Sequence, residues 1–173
     1  MKKIKLISFD GDGTLRYPKT TTTTQKPHRI YEIYPQVDEA NAQLILIPGT
    51  IELLEYCRGQ WVIMILLSTN PNEVDIADQQ VLYRSQLLWV DQYFDHILSA
   101  RDYVASKWEI LQRLADQHKI DYNQILHIWD SYMRDYASTA DCNMNTVLIR
   151  TSYSWDHEAI EHWDLIDYVS SIV

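Results

Sequence analysis

Cysteine, glycine and positive charge are all scarce in this chain. The only cysteines, Cys57 and Cys142, exclude a disulfide-dense framework and a cysteine-rich zinc module, and suit a reducing compartment. Fifteen lysines and arginines face 24 aspartates and glutamates, a net charge of −9, which argues against non-specific binding to nucleic acid or to an acidic membrane. No stretch approaches the roughly 18 uncharged apolar residues of a membrane span. Met1-Lys2-Lys3 is followed by an apolar segment that Asp10 cuts short, too soon for a signal peptide, so a cytoplasmic protein is expected. Apolar residues are not scarce: at 46% they suffice for a real core. The 173 residues make a single domain, 1–173, with room for one insertion.

Two of the four glycines fall in one stretch, Ile7-Ser8-Phe9-Asp10-Gly11-Asp12-Gly13-Thr14-Leu15. The apolar run Ile4 to Phe9 reads as a buried strand that stops at Asp10. Asp10 and Asp12 stand two positions apart, and on extended backbone that spacing points both side chains the same way. Gly11 and Gly13 remove Cβ bulk beside them and let the chain turn tightly. Two crowded carboxylates at a strand end suit a hard divalent cation such as Mg²⁺. One of them could attack phosphorus while the other manages the proton. A plain Asp/Gly surface turn is the competing reading.

Residues 16–47 read as an insertion. Thr20 to Thr24 form a loop without alternation, and Arg29 to Tyr34 and Gln43 to Ile47 read as two short strands joined through Gln36 to Asn41. The expectation is a β-hairpin flap directly after the carboxylate pair. A helix follows from Ile51 to Arg58, with Gly59 in the place of a C-cap glycine. Trp61 to Leu67 is a continuous apolar run, the pattern of a strand covered on both faces. It closes on Ser68-Thr69-Asn70-Pro71, where Asn70 can cap a helix running to Leu88 and Glu73 completes a capping-box pattern. A hydroxyl at a strand end before a helix N-terminus makes a phosphate cradle, with Thr69 the first choice and Ser68 its competitor.

Further on, Ile97 and Leu98 centre a short strand, and Ser106-Lys107-Trp108-Glu109 is a second capping box opening a helix to His118. Lys107 then occupies the first helical position, where the dipole disfavours a cation, so something negative should hold it there. Ile125 to Trp129 is a buried strand ending at Asp130, with Asp135 five residues on. Asp135 to Asp141 reads as helix, Asn145 to Ile149 as the last strand, and Trp155 to Ser171 as a closing helix that packs Ile160, Leu165, Ile166 and Val169 inward. His157 and His162 look like a zinc helix but lie five apart, roughly 140° around the axis, which does not suit one shared metal. The six tryptophans and twelve tyrosines are scattered along an acidic chain, which favours packing over base stacking.

FDGDGTL resembles the first motif of the haloacid dehalogenase-like (HAD) phosphatases, Asp-x-Asp-Gly-Thr. The strand closing on Ser68-Thr69-Asn70 resembles the second, Lys107 the third, and Asp130 with Asp135 the fourth. The resemblance implies Asp10 as nucleophile, Asp12 as general acid/base, and Mg²⁺ held by the Asp10 and Asp130 carboxylates and the Asp12 carbonyl. It implies that Lys107 steadies the phosphate and the nucleophile, that Thr69 or Ser68, with Asn70 and Gly11, binds the phosphate, and that Asp135, Thr14 and Ser131 support the cluster. Two departures stand out: Trp108 where the family often has Pro, and Trp129 where it usually has Gly. A ring at 129 would either alter the pocket floor or turn outward at a bent strand.

Strands and helices alternate after the insertion, which argues for a doubly wound, Rossmann-like parallel sheet with every strand's C-terminal end on one rim. Asp10, Thr69 and Asp130 each close an expected strand, so they should meet there. No stretch is long enough for a cap domain, so the layout resembles the capless, magnesium-dependent phosphatase-1 type. That implies a phosphorylated substrate reaching an open site, which can be a macromolecule, or an oligomer whose partner subunit supplies the lid. Nucleic acid and membranes are not expected partners. A phosphate sensor that keeps the fold without turnover is the alternative.

Overall fold

A computed structural model describes residues 3–21, 25–34, 36–70, 74–100, 106–131, 142–154 and 158–173. Five parallel strands form the central sheet: β1 (Leu6–Phe9), β4 (Ile63–Thr69), β5 (His96–Ala100), β6 (Ile125–Trp129) and β7 (Asn145–Leu148), in the order β5-β4-β1-β6-β7. β1 is central, with Phe9 level with Leu66 on one side and Ile128 on the other. The chain builds outward from β1 through β4 to β5, then returns to lay β6 and β7 on its other side. That reversal puts a crevice beyond the carboxyl ends of β1 and β6, where open α/β sheets bind ligands.

Both faces of the sheet are covered, which is why its strands read as unbroken apolar runs. Ile7 and Phe9 of β1 join Leu53, Leu54 and Cys57 of α3 (Thr50–Gly59) and Leu165 and Val169 of α6 (Leu165–Ser170) in one core. On the opposite face Leu6, Ile65, Leu67 and Ile125 pack against Ile110, Leu111, Leu114 and Ala115 of α5 (Lys107–His118). α4 (Val74–Leu87) lies along the β5 edge and sends Val81 into the first core. The expected capping box of α5 is present: Glu109 Oε2 accepts from the Ser106 backbone N–H (2.7 Å) and from its hydroxyl (2.9 Å).

Several boundaries differ from the sequence expectation. The antiparallel pair exists, but its strands are β2 (Arg16–Pro18) and β3 (Leu44–Leu46); Arg29 to Tyr34 is not a strand. Pro27–Arg29 is a 3₁₀ turn leading into α1 (Ile30–Ile33), and the supposed connection holds α2 (Val37–Asn41). β-branched and aromatic content misled there, because Ile30, Ala40 and Leu44 bury one another in a small satellite core that rewards a helical turn. Gly59 ends α3 without a left-handed cap; the positive φ, 59°, falls instead on Trp61, which is 95% exposed and lies outside the strand that begins at Ile63.

The closing helix spans only Leu165–Ser170, after a 3₁₀ turn at His162–Asp164. Ile160 is drawn out of it, because its backbone N–H donates to Leu148 and its carbonyl accepts from Arg150, bridging it beside Ile149. The expected helix Asp135 to Asp141, the cap residues Pro71 and Glu73, and His157 lie outside the described residues. No helix among the described residues is long and apolar enough to cross a membrane.

Candidate active site

Asp10 continues β1 by one residue: its N–H donates to Ile128 O (2.9 Å), so the strand reaches the rim still hydrogen-bonded to β6. Its Oδ1 accepts from the Gly11 N–H at 2.8 Å, and its Oδ2 lies 3.0 Å from Lys107 Nζ. Lys107 is 5% exposed at the first position of α5, so the negative partner that its unfavourable place called for is Asp10. Asp130, one residue beyond β6, is 4% exposed and accepts from the Tyr153 hydroxyl at 2.6 Å. A Cβ on Gly13, whose φ is +86°, would overlap the Asp130 carboxylate. The two loops therefore touch, and Asp130 stands on the same rim as Asp10.

Asp10, Asp12, Ser68, Thr69, Lys107, Asp130, Ser131 and Tyr153 line one cleft, together with Lys26 and Pro27. Ser68 and Thr69 both face it, so the choice between them stays open. Asn70 does not line it; its side chain donates to Gln80 Oε1 at 2.9 Å. Thr14 is fully buried behind the loop, and its carbonyl accepts from His162 Nε2 at 3.1 Å, which puts the proton on that nitrogen. Burial holds the His162 pKa below its ordinary value, against the pull of the Thr14 and Pro48 carbonyls. Asp135 lies outside the described residues. The Trp129 ring is fully buried on a strand whose register with β7 is unbroken (Trp129 opposite Leu148), and it does not line the cleft.

Asp12 departs most from expectation. Its Oδ1 takes an ion pair from Arg16 Nε at 2.5 Å and its Oδ2 accepts from the Tyr31 hydroxyl at 3.0 Å. Burial pushes the Asp12 pKa up, but Arg16 outweighs it, with Arg84 and the Tyr31 hydroxyl adding, and the carboxyl stands below the usual range. Tyr31 is pushed upward by burial and by Asp12, so it remains a donor.

Arg16, Tyr31 and Tyr153 were not foreseen as partners of these carboxylates. Arg16, four residues from Asp12, carried a faint local signal. Tyr31 and Tyr153 carried none, since only tertiary folding brings positions 19 and 23 residues away onto Asp12 and Asp130.

The donor set is compatible with Mg²⁺. Among the described residues no group of three or more histidine, cysteine or carboxylate side chains converges. Mg²⁺ does not require one, because it keeps several waters and is commonly held by one or two carboxylates plus substrate phosphate. Asp10 and Asp130 are two carboxylates that line the same cleft.

No family model matches this chain, and no curated protein matches it. Solved structures do. A haloacid dehalogenase-like family hydrolase from Streptococcus pneumoniae superposes with a TM-score of 0.68 at 15% identity, covering 95% of this chain and 98% of that one. A HAD-superfamily hydrolase from Ehrlichia chaffeensis gives 0.63 at 17% identity, over 99% and 98%. A protein described as a predicted phosphoglycolate phosphatase, from Haemophilus somnus, gives 0.69 at 15%, over 97% and 99%. At these identities the likeness is one of fold: the chain has the α/β core of the HAD-superfamily hydrolases.

Proposed function

We propose that this protein is a Mg²⁺-dependent phosphomonoester hydrolase working through an aspartyl-phosphate on Asp10. The observation that carries the reading is the Asp10 carboxylate, fixed by the Gly11 N–H and 3.0 Å from Lys107 Nζ in a cleft that also holds Asp130 and two strand-end hydroxyls. Several proteins of like fold carry phosphatase descriptions, which supports the same class. Mg²⁺ held by Asp10, Asp130 and the Asp12 carbonyl would supply Lewis-acid neutralisation of phosphate charge. Lys107 and Thr69 or Ser68 bind phosphate oxygens and orient phosphorus for attack by Asp10. Arg16 and Tyr31 hold Asp12 ionised at rest, so Asp12 first takes up the proton that a phosphate monoanion brings, hands it to the leaving alkoxide, and then takes one from the water that hydrolyses the aspartyl-phosphate. The site is of the open, magnesium-dependent phosphatase-1 kind, compatible with large phosphorylated substrates or a partner subunit as lid.

Hydrolysis of an aryl phosphate with and without Mg²⁺ tests this. Metal-dependent release that Asp10→Asn abolishes, with circular dichroism unchanged, is expected; full turnover in that variant refutes the nucleophile. The engagement of both Asp12 oxygens favours a second reading, phosphate binding without turnover, which predicts phosphate retention and no release.

A further inference from the structure

Arg16 opens β2 and is 2% exposed, one of the largest fully buried side chains of the molecule. Its Nε grips Asp12, while its Nη2 has no hydrogen-bond partner among the described residues. A buried, unsatisfied guanidinium nitrogen is destabilising, more so than an uncharged donor. An apolar side chain of similar length would fill the space without that cost. The Gly11 backbone is shaped to it: a Cβ there would come within 2.8 Å of Arg16 Nη2.

Tyr31 reaches the same carboxylate from α1 and is itself braced. The Arg84 guanidinium of α4 lies 4.5 Å from the Tyr31 ring centroid, and Arg84 Nε donates to Asn41 Oδ1 of α2 at 3.1 Å. Arg84 is 6% exposed and Asn41 4%. Contacts therefore run from Asn41 of α2 through Arg84 of α4 and the Tyr31 ring of α1 to Asp12, Arg84 being the one link from outside the insertion.

We infer that Arg16 and Tyr31 are positioning residues for the acid/base step: together they fix both oxygens of Asp12, so that the insertion, braced through Arg84 and Asn41, aims this carboxylate at the cleft. Each oxygen keeps a second lone pair, and Asp12 still lines the cleft, so an oriented face stays available to water or a leaving group. The role rests on the phosphatase reading above.

The test is a set of kinetic cycles on an aryl phosphate with Mg²⁺, using Tyr31→Phe, Arg16→Lys, Arg16→Met and Asp12→Asn, each alone, with the Tyr31 and Arg16 changes repeated in the Asp12→Asn background. Tyr31→Phe removes one hydroxyl at constant shape and should lower kcat about ten-fold with KM within about two-fold. Arg16→Met should lower kcat further, and Arg16→Lys should recover part of the loss. In the Asp12→Asn background neither change should reduce kcat again, because the group being aimed is gone. A merely structural role predicts instead equal losses in both backgrounds, tracking the melting temperature. Wild-type turnover with an unimpaired Tyr31→Phe, or full additivity, overturns this inference alone. A wild type without metal-dependent release overturns the phosphatase reading and this role with it.

Discussion

The cleanest measurable consequence of this architecture sits beneath the cleft, at His127. Its ring is fully buried on β6, in register with Ser8 of β1, and neither ring nitrogen has a hydrogen-bond partner among the described residues; nor has the Ser8 hydroxyl. Desolvation, helped by the Lys107 ammonium and opposed by Asp10 and the nearby Ser8 backbone, lowers its pKa from 6.5 to about 3. In the unfolded chain the imidazole titrates normally. The folded state thus refuses a proton that the unfolded state accepts, and stability that is whole above pH 6.5 is lost as pH falls from 6.5 towards 3. Each pH unit inside that window costs about 1.4 kcal/mol, about 2.7 kcal/mol by pH 4.5.

Asp12 and Asp95, both held below the ordinary aspartate value, keep their contributions down to that value and lose them only on further acidification, so they barely enter the window. His162, also depressed, acts in the same direction as His127, which makes the informative quantity a difference. His127→Leu should be no less stable than wild type at pH 7.5, because it removes two unsatisfied buried nitrogens. Urea unfolding at pH 7.5, 6.5, 5.5 and 4.5 should then show the wild-type midpoint falling by about 1–1.5 M more than the variant's, for a slope near 2 kcal/mol/M. Parallel pH profiles for the two proteins would refute the reasoning and mean that His127 finds a proton acceptor or solvent in the folded state.

Two further outcomes follow from the same geometry. Gly13→Ala places a Cβ at φ +86° against Asp130, and should cost more than about 2 kcal/mol in urea unfolding, whereas Gly59→Ala, with nothing within 4 Å at the end of α3, should gain about 0.5–1 kcal/mol. Tyr153→Phe frees the Asp130 oxygen that its hydroxyl holds at 2.6 Å, and should weaken Mg²⁺ affinity about ten-fold by calorimetry with the melting temperature little changed; unchanged affinity would mean that Tyr153 does not orient a metal ligand.

What was legible from sequence had local causes. Leu6 to Phe9, Met64 to Leu67 and Ile125 to Trp129 are buried on both faces of the sheet, so the apolar runs that contain them survive averaging and announce strands, even though Trp61 itself is exposed. The meeting of Asp10, Lys107 and Asp130 followed from that, because right-handed crossovers send every strand end to one rim. The insertion was not legible. Tyr31 sits in a four-residue α1 that no propensity favours, held by a satellite core of Ile30, Ala40 and Leu44 and by Arg84 across its ring. Such contacts join positions dozens of residues apart and leave no period in the chain. Trp129 was ambiguous for the opposite reason: a bulky ring beside a carboxylate fits a pocket floor or a strand core equally well, and only the unbroken pairing of β6 with β7 assigns it to the core.

The two carboxylates of the first motif also show how one loop can hold two acids in different states of readiness. Asp10 is countered by Lys107, a compact charge on a flexible stem from another helix, which can follow the oxygen when charge moves onto a phosphate. Asp12 is countered by Arg16, a planar fork fixed in the burial of the insertion, and by a phenol that burial keeps protonated. In the proposed mechanism the single ammonium would serve the residue that changes its bonding, and the fork with the phenol the residue that keeps its direction. That division, more than the acidity of either group, supports the proposed roles of bond-making for Asp10 and proton transfer for Asp12. Exchanging the partners in kind, with lysine at 16, should therefore loosen the second role and leave the first intact.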